Sequence, residues 1–338
     1  MLTRRTFAAG ALSASAASCA PARSQPLHIL IGSTPGAASD RIARILARHI
    51  TKKFGQPVEV SNEGRANGKM AAQRLVAAKP DGLTIGFLST GLLYGALLHD
   101  SGGADSLDKI QWLGSLNYDR RVLIVTKASG VERFEDLIGR RKPLILICGA
   151  TSQSSYYECR ILDHLTDANV RIVPGFRGGT RNLALISGEG EAVIGTLDGL
   201  EPALEQAGSK IILRMNRLPV LGLSAEKGSQ APTIDRFAKG PDAETLIDLM
   251  NAHAQLGRIV GLPPGTPPDL VAQWRERFAA VSADPAFITE ANAAGFRLEP
   301  TPGAAVNATL SRLLSTGVNE VGAALGRAMA CQDGATCA

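Results

Sequence analysis

Leu27-His28-Ile29-Leu30-Ile31-Gly32-Ser33-Thr34-Pro35-Gly36-Ala37-Ala38-Ser39-Asp40 opens a stretch that runs on to Gln56 and decides the fold. Leu27–Gly32 is mostly apolar, Ser33–Asp40 is small and polar, and Ile42, Ile45, Leu46 and Ile50 then recur at helical spacing. The order is strand, loop, helix. Ser39 is the expected N-cap, Asp40 suits the first turn, Lys52 and Lys53 sit toward the negative end of the helix dipole, and Gly55 with Pro57 stops the helix. A loop without bulky side chains exposes backbone N–H groups beside the positive end of a helix, and anions bind such places. The same composition also serves strand-to-helix turns that bind nothing. Neither G-x-G-x-x-G nor G-x-x-x-x-G-K-[ST] occurs, so no dinucleotide or nucleoside triphosphate cradle is expected.

Outward from this unit the alternation continues. Val58–Ser61 reads as strand, Gly68–Ala78 as helix, and Leu83–Leu88 as a strand ending at Ser89 and Thr90. A second set begins at Arg121–Val125 and continues with the buried run Leu144–Cys148 and the loop Gly149–Ser154. Ser155-x-x-Glu158 then reads as a capping box that opens a helix with Ile161, Leu162 and Leu165. Val170–Val173 is strand-like, Pro174–Gly179 is another small-residue loop, Thr180 caps a short helix, and Ala192–Thr196 delivers Asp198 at its end. After about Ala225 the chain reads as helical, with Asp269–Ala280 amphipathic and packing back on the first lobe. This pattern implies an α/β fold with mostly parallel sheets flanked by helices, in which ligands bind beyond the carboxyl ends of the strands. Pro35–Asp40, Thr151–Ser154 and Phe176–Gly179 are the loops expected to gather there.

Thr3-Arg4-Arg5-Thr6-Phe7 is a twin-arginine pattern followed by a short stretch of small apolar residues, so residues 1–22 read as an export signal. Cleavage follows Ala20-Pro21-Ala22, or precedes Cys19 in an imperfect lipoprotein box; a periplasmic product is expected either way. About 316 residues then remain, more than one core usually organises, so two lobes are expected: 23–124, then 125–225, with 226–338 returning to the first. No later apolar run is long enough to span a bilayer. The formal charge is +5, with Arg4 and Arg5 supplying part of it, and aromatic residues make up 4 %, which argues against a nucleic-acid groove. The histidines are dispersed and neither C-x-x-C nor H-E-x-x-H occurs, so neither metal nor cofactor is expected. Cys331 and Cys337 lie close enough in sequence for a disulfide, whereas pairing of Cys148 with Cys159 depends on geometry.

Several segments resemble the substrate-binding receptors of tripartite tricarboxylate transporters, the Bug family. They include Pro35-Gly36-Ala37-Ala38-Ser39-Asp40, Gly55-Gln56-Pro57-Val58, Ala78-x-Pro80-Asp81-Gly82-x-Thr84-Ile85-Gly86, Pro174-Gly175-Phe176-Arg177-Gly178-Gly179 and Pro264-Gly265-Thr266-Pro267-Pro268, in order along nearly the whole mature chain. The resemblance implies a two-lobed periplasmic-binding-protein architecture of the type II, Venus-flytrap kind. It also implies a small organic acid held in the cleft by loop amides, hydroxyls and waters, with membrane subunits as partners of a monomeric, non-enzymatic receptor. Carried onto this chain, the ligand-binding residues are Pro35, Gly36, Ala37, Ala38, Ser39 and Asp40 in the first loop, Ser89 and Thr90 at a strand end, Thr151, Ser152, Gln153 and Ser154 in the second lobe, and Phe176, Arg177 and Gly178 at the cleft edge. Ala37 stands where the family commonly has glycine, and its Cβ enters the space a ligand approaches. Gly64-Arg65-Ala66-Asn67 likewise replaces the usual Pro-Gly-Ala-Gly.

Asp198 joins this set as a group that orients water or accepts a ligand hydroxyl, or else caps the helix after Gly199. Arg177 either pairs with the carboxylate or is a solvated arginine. Two alternatives remain: a receptor that docks to a membrane sensor, and an exported hydrolase using Ser152, Ser154 or Ser155 with His164 as base, although no G-x-S-x-G elbow occurs.

Overall fold

The computed structural model describes residues 25–98, 107–176, 180–220, 223–315 and 318–330. The export signal with Cys19, the tail cysteines Cys331 and Cys337, and the site candidates Arg177 and Gly178 lie outside the described residues.

Two sheets form the two lobes. In the first, β1 (Leu27–Ile31) pairs in parallel with β2 (Val58–Asn62) and β3 (Thr84–Ser89). An antiparallel half extends from β3 through β10 (Arg258–Leu262) and β4 (Gln111–Ser115) to β11 (Thr301–Pro302). In the second, β6 (Leu144–Ile147) lies parallel to β7 (Val170–Val173) and β8 (Ala192–Thr196), while β5 (Arg121–Val125) runs antiparallel between β8 and β9 (Lys210–Arg214). Both sheets are therefore mixed. The βαβ part of each is parallel, as the alternation implies, and the strands that carry the chain between lobes enter antiparallel. The chain passes from β4 in the first sheet to β5 in the second through the short segment Leu116–Arg120. It thus joins the second sheet at Arg121, ahead of the boundary expected at 125.

Helix α1 (Ala38–Phe54) buries Ile42, Ile45, Leu46 and Ile50 against the first sheet, each worth about 1.5–3 kcal/mol when fully buried. It stops at Gly55, whose left-handed φ of 66° lets its N–H donate to the Thr51 carbonyl at 2.9 Å. The expected cap is corrected: the helix begins before Ser39, with Ala37 at the N-cap position and no side-chain cap. Helices α8 (Pro268–Ser282) and α9 (Pro285–Ala293) cover the same sheet face with Trp274, Phe278 and Phe287. On the other face, one apolar layer joins α2 (Lys69–Val76), α3 (Leu92–Leu97), α4 (Ser154–Leu165), α7 (Ala243–Leu256), α10 (Gly303–Ser315) and α11 (Val318–Ala330) across both lobes. Helices α5 (Thr180–Ile186) and α6 (Leu197–Gln206) cover the outer face of the second sheet.

The part after Ala225 is not simply helical. Arg258–Leu262 is an inner strand of the first sheet, and α7 and α11 pack on α4 of the second lobe. Two crossings lie side by side at the hinge: the Leu116 N–H donates to the Arg258 carbonyl at 3.2 Å and the Asp119 N–H to the Ala254 carbonyl at 2.7 Å. Gly257 makes that approach possible. Its φ is 52°, and a Cβ there would stand 1.7 Å from the Asn117 carbonyl oxygen. Among the described residues no helix is long and apolar enough to cross a membrane.

Candidate functional site

The first loop is braced from within its own lobe. Asp40, 3 % exposed, accepts the Gly36 N–H at 2.8 Å, Arg44 Nε at 2.9 Å and Asn62 Nδ2 at 2.9 Å. Asn62 Nδ2 also donates to the Ser33 carbonyl at 3.1 Å. Burial alone would raise the Asp40 pKa, but these bonds outweigh it and hold the carboxyl below its ordinary range. Asp40 therefore tethers the loop, with its oxygens already occupied. Gly64 and Gly68 press backbone to backbone on the same loop, where a Cβ would meet Thr34 N at 2.7 Å and Gly32 O at 2.6 Å. Thr34, Pro35 and Gly36 are exposed, and Ala37, Ala38 and Ser39 are half-buried.

In the second lobe, Thr151 and Ser152 are exposed and Gln153 takes the N-cap position of α4 without a side-chain cap bond. The capping box read at Ser155 and Glu158 does not form. The Ser155 hydroxyl accepts the Gly149 N–H at 3.0 Å, and the Glu158 carboxylate is drawn to Arg121. Phe176 packs on the outer core of that lobe. Helix α6 is capped by Thr196, whose Oγ1 accepts the Gly199 N–H at 3.2 Å, so the capping alternative for Asp198 is set aside. Asp198 instead pairs with Arg258 Nη2 of the first lobe at 2.9 Å.

Thr90 and Ser154, from opposite lobes, meet at one imidazole: His253 Nε2 lies 3.0 Å from Thr90 Oγ1 and 3.4 Å from Ser154 Oγ. Burial, with the Arg121 charge adding, pushes the His253 pKa down to about 3, so the ring is neutral at ordinary pH. Its Nδ1 is buried without a hydrogen-bond partner, so no acid orients it as a triad base requires. His164, the base of the hydrolase alternative, lies at the far end of α4 and pairs with Asp242 Oδ2 at 2.9 Å, away from the serines that open the helix.

Around His253 lies a cluster of buried charges that the sequence reading passed over. Arg121, the first residue of β5, grips Glu158 Oε2 with Nε at 2.9 Å and also with Nη2, and its Nη1 stands 3.7 Å from Asp119 Oδ2. Arg258 opens β10 beside Ser89, and its guanidinium also lies 5.4 Å over the Phe296 ring. Arg181, on α5, reaches the Ile194 carbonyl with Nη1 at 3.4 Å. Tyr94 of α3 stacks on Tyr157 of α4 at 5.0 Å and lies 4.9 Å from the His253 ring. Buried atoms here have no hydrogen-bond partner: Arg181 Nε, Arg258 Nε, Glu158 Oε1, Asp119 Oδ1 and the Tyr94 hydroxyl. Burial pushes Glu158 up to about 7 against the pull of Arg121, and raises Asp119 as well. All these groups sit just beyond the carboxyl ends of β3, β6, β7 and β8, or on the strands and hinge beside them, where an open α/β sheet presents its ligand site.

Next to the cluster, a cavity of about 510 Å³ lies between α6 and α9 against the hinge, lined by residues such as Tyr118, Asp198, Glu201, Leu204, Ile288 and Asn292. Of the described residues expected to bind ligand, Asp198 alone lines it. Asp40 ties Pro35–Asp40 down inside the first lobe, whereas Thr90, Ser154 and Asp198 take part in contacts between the lobes. Among the described residues no group of three His, Cys, Asp or Glu side chains is placed to hold a metal ion.

A family model described as the tripartite tricarboxylate transporter family receptor matches residues 42–324. A UPF0065 protein of Bordetella bronchiseptica is 24 % identical over 290 residues, covering 82 % of this chain and 78 % of that one. Among solved structures, an adipate-bound protein of Rhodopseudomonas palustris superposes with a TM-score of 0.68 at 20 % identity, covering 90 % of this chain and 98 % of the other. The malate-bound MatC of the same organism gives 0.65 at 20 % identity over 90 % and 99 %.

Proposed function

We propose that this chain, which belongs to the tripartite tricarboxylate transporter receptor family, is an exported receptor that captures a small organic carboxylate between its lobes and presents it to the transporter's membrane subunits. One observation carries the reading. Each lobe contributes a guanidinium whose Nε is buried and unpartnered, Arg258 from the first sheet and Arg181 from α5 of the second lobe, and the charges of both act on Asp119 at the hinge. Buried donors of this kind each cost roughly 1–3 kcal/mol until an acceptor meets them, and a carboxylate offers two oxygens at once. Malate and adipate, both small dicarboxylates, are held by related folds.

Binding across two lobes couples capture to closure, and the closed form is what a membrane partner distinguishes. The twin-arginine segment supplies the route out of the cytoplasm. Thermal melting of the mature protein against di- and tricarboxylates, aromatic acids and amino acids tests the proposal. Stabilisation by at least one carboxylate is expected, growing with the logarithm of its concentration. A melting temperature unmoved by any acid would overturn it.

A further inference from the structure

We infer that the inter-lobe site selects a carboxylate carrying a hydrogen-bond donor on the neighbouring carbon, a hydroxyl or an ammonium, over the plain acid of the same length. The inference rests on the carboxylate-receptor reading and adds its substrate class.

Leftover valences in the cluster are of two kinds. Arg181 Nε and Arg258 Nε can only donate, and a ligand carboxylate answers them. Glu158 Oε1 and Asp119 Oδ1 are carboxyl oxygens with no donor. Glu158 is fully buried and its other oxygen is held by two guanidinium nitrogens of Arg121, which fixes Oε1 inside the cluster. Asp119 is held on the Arg121 side through Oδ2, and its backbone is pinned by bonds to Ala254 and Asn216. Neither group can swing out to water without breaking those contacts.

A plain dicarboxylate brings acceptors alone. It answers the arginines, leaves both carboxyl oxygens unanswered and sets a negative group beside them. A hydroxyl or ammonium next to the carboxylate supplies the missing donor. Sites that hydrogen-bond a substrate's donor reject the analogue lacking it strongly, because their own buried groups are then left unpaired. Glu158 and Asp119 are thus specificity-determining residues, and Arg121 is the positioning residue that aims both.

Titration calorimetry with matched sets at one pH above 7, where Glu158 is ionised and Oε1 can only accept, tests this: succinate, malate and aspartate, then glutarate, 2-hydroxyglutarate and glutamate. In at least one set, the hydroxy or amino acid should bind about tenfold or more tightly than the plain acid. Glu158→Gln and Asp119→Asn, each checked for an intact thermal melt, should shrink that ratio severalfold. Preference for malate over aspartate, or the reverse, identifies the donor. Equal binding of plain and donor-bearing acids by the wild type would overturn the inference and leave the carboxylate-receptor reading standing. Failure of every acid to bind would instead overturn that reading. Should either variant fail to fold, the wild-type ratios still decide.

Discussion

Asp40 and Glu158 are both buried carboxyl groups, but their oxygens are used differently. Asp40 has donors on both, from Gly36, Arg44 and Asn62, and acts on any ligand only through the loop it tethers. Asp40→Ala should lower stability by about 2 kcal/mol in urea unfolding, since buried charge-assisted bonds contribute on that order. An unchanged midpoint would show that the loop is held otherwise. Glu158 titrates in the opposite sense. Its folded pKa is raised to about 7 from an ordinary value of 4.5, so the native state binds more protons across that window and stability falls as pH rises through it. Wild type measured against Glu158→Gln should therefore lose stability between about pH 4.5 and 7, and a constant difference across that range would contradict the assignment. These residues also show where sequence reading stops. Glu158 follows Ser155 at capping-box spacing, and only the partner Arg121, distant in sequence, draws it away. Arg121 and Arg258 each open an otherwise apolar buried strand, and a charged residue in that position is the signal that could have flagged them. Asp40 was legible as a first-turn acid, but not as the anchor of Gly36 and Asn62, because Asn62 comes from the neighbouring strand.

At the scale of elements, Asp242 joins three helices. It stands at the start of α7, accepts Arg327 Nε of α11 at 2.9 Å and pairs with His164 in the last turn of α4. The Arg327 bond, with help from His164, outweighs burial and holds its pKa down to about 2. A depressed folded pKa gives stability that is present above the ordinary value of 3.8 and lost as pH falls through about 2. Asp242→Asn should thus cost about 2 kcal/mol at pH 7 in denaturant unfolding, and the gap should close in acid. A gap independent of pH would mean that packing, not charge, holds the three helices. Strands were the readable elements. β5, β7 and β8 fall where their apolar runs place them, because contiguous burial leaves a local trace. β10 was missed since Arg258–Leu262 directly follows a helix and its pairing partners β3 and β4 are remote in the chain. The start of α1 was displaced from Ser39 because Asp40 and the left-handed Gly36 together close the first turn.

Over the whole molecule, the two lobes share one apolar layer on one side and meet through charges on the other, and the chain crosses between them twice at the hinge. Gly257→Ala puts a methyl against the Asn117 carbonyl and strains a left-handed φ. It should lower the free energy of unfolding by at least about 2 kcal/mol in urea unfolding, and wild-type stability would show that the crossing has slack. The two-lobed plan was legible from length and repeated βαβ units, whereas the contact between lobes was not, since Thr90, Ser154 and His253 come from three distant segments. One arginine from each lobe, its Nε buried and unpartnered, closes on the same carboxylate in the proposed receptor. The most direct test is calorimetric titration of wild type, Arg181→Ala and Arg258→Ala with the most stabilising acid from the melting panel. Saturable one-to-one binding by wild type, weakened about tenfold or more in each variant with its thermal melt preserved, is the expected result. Wild-type affinity in both variants would contradict it.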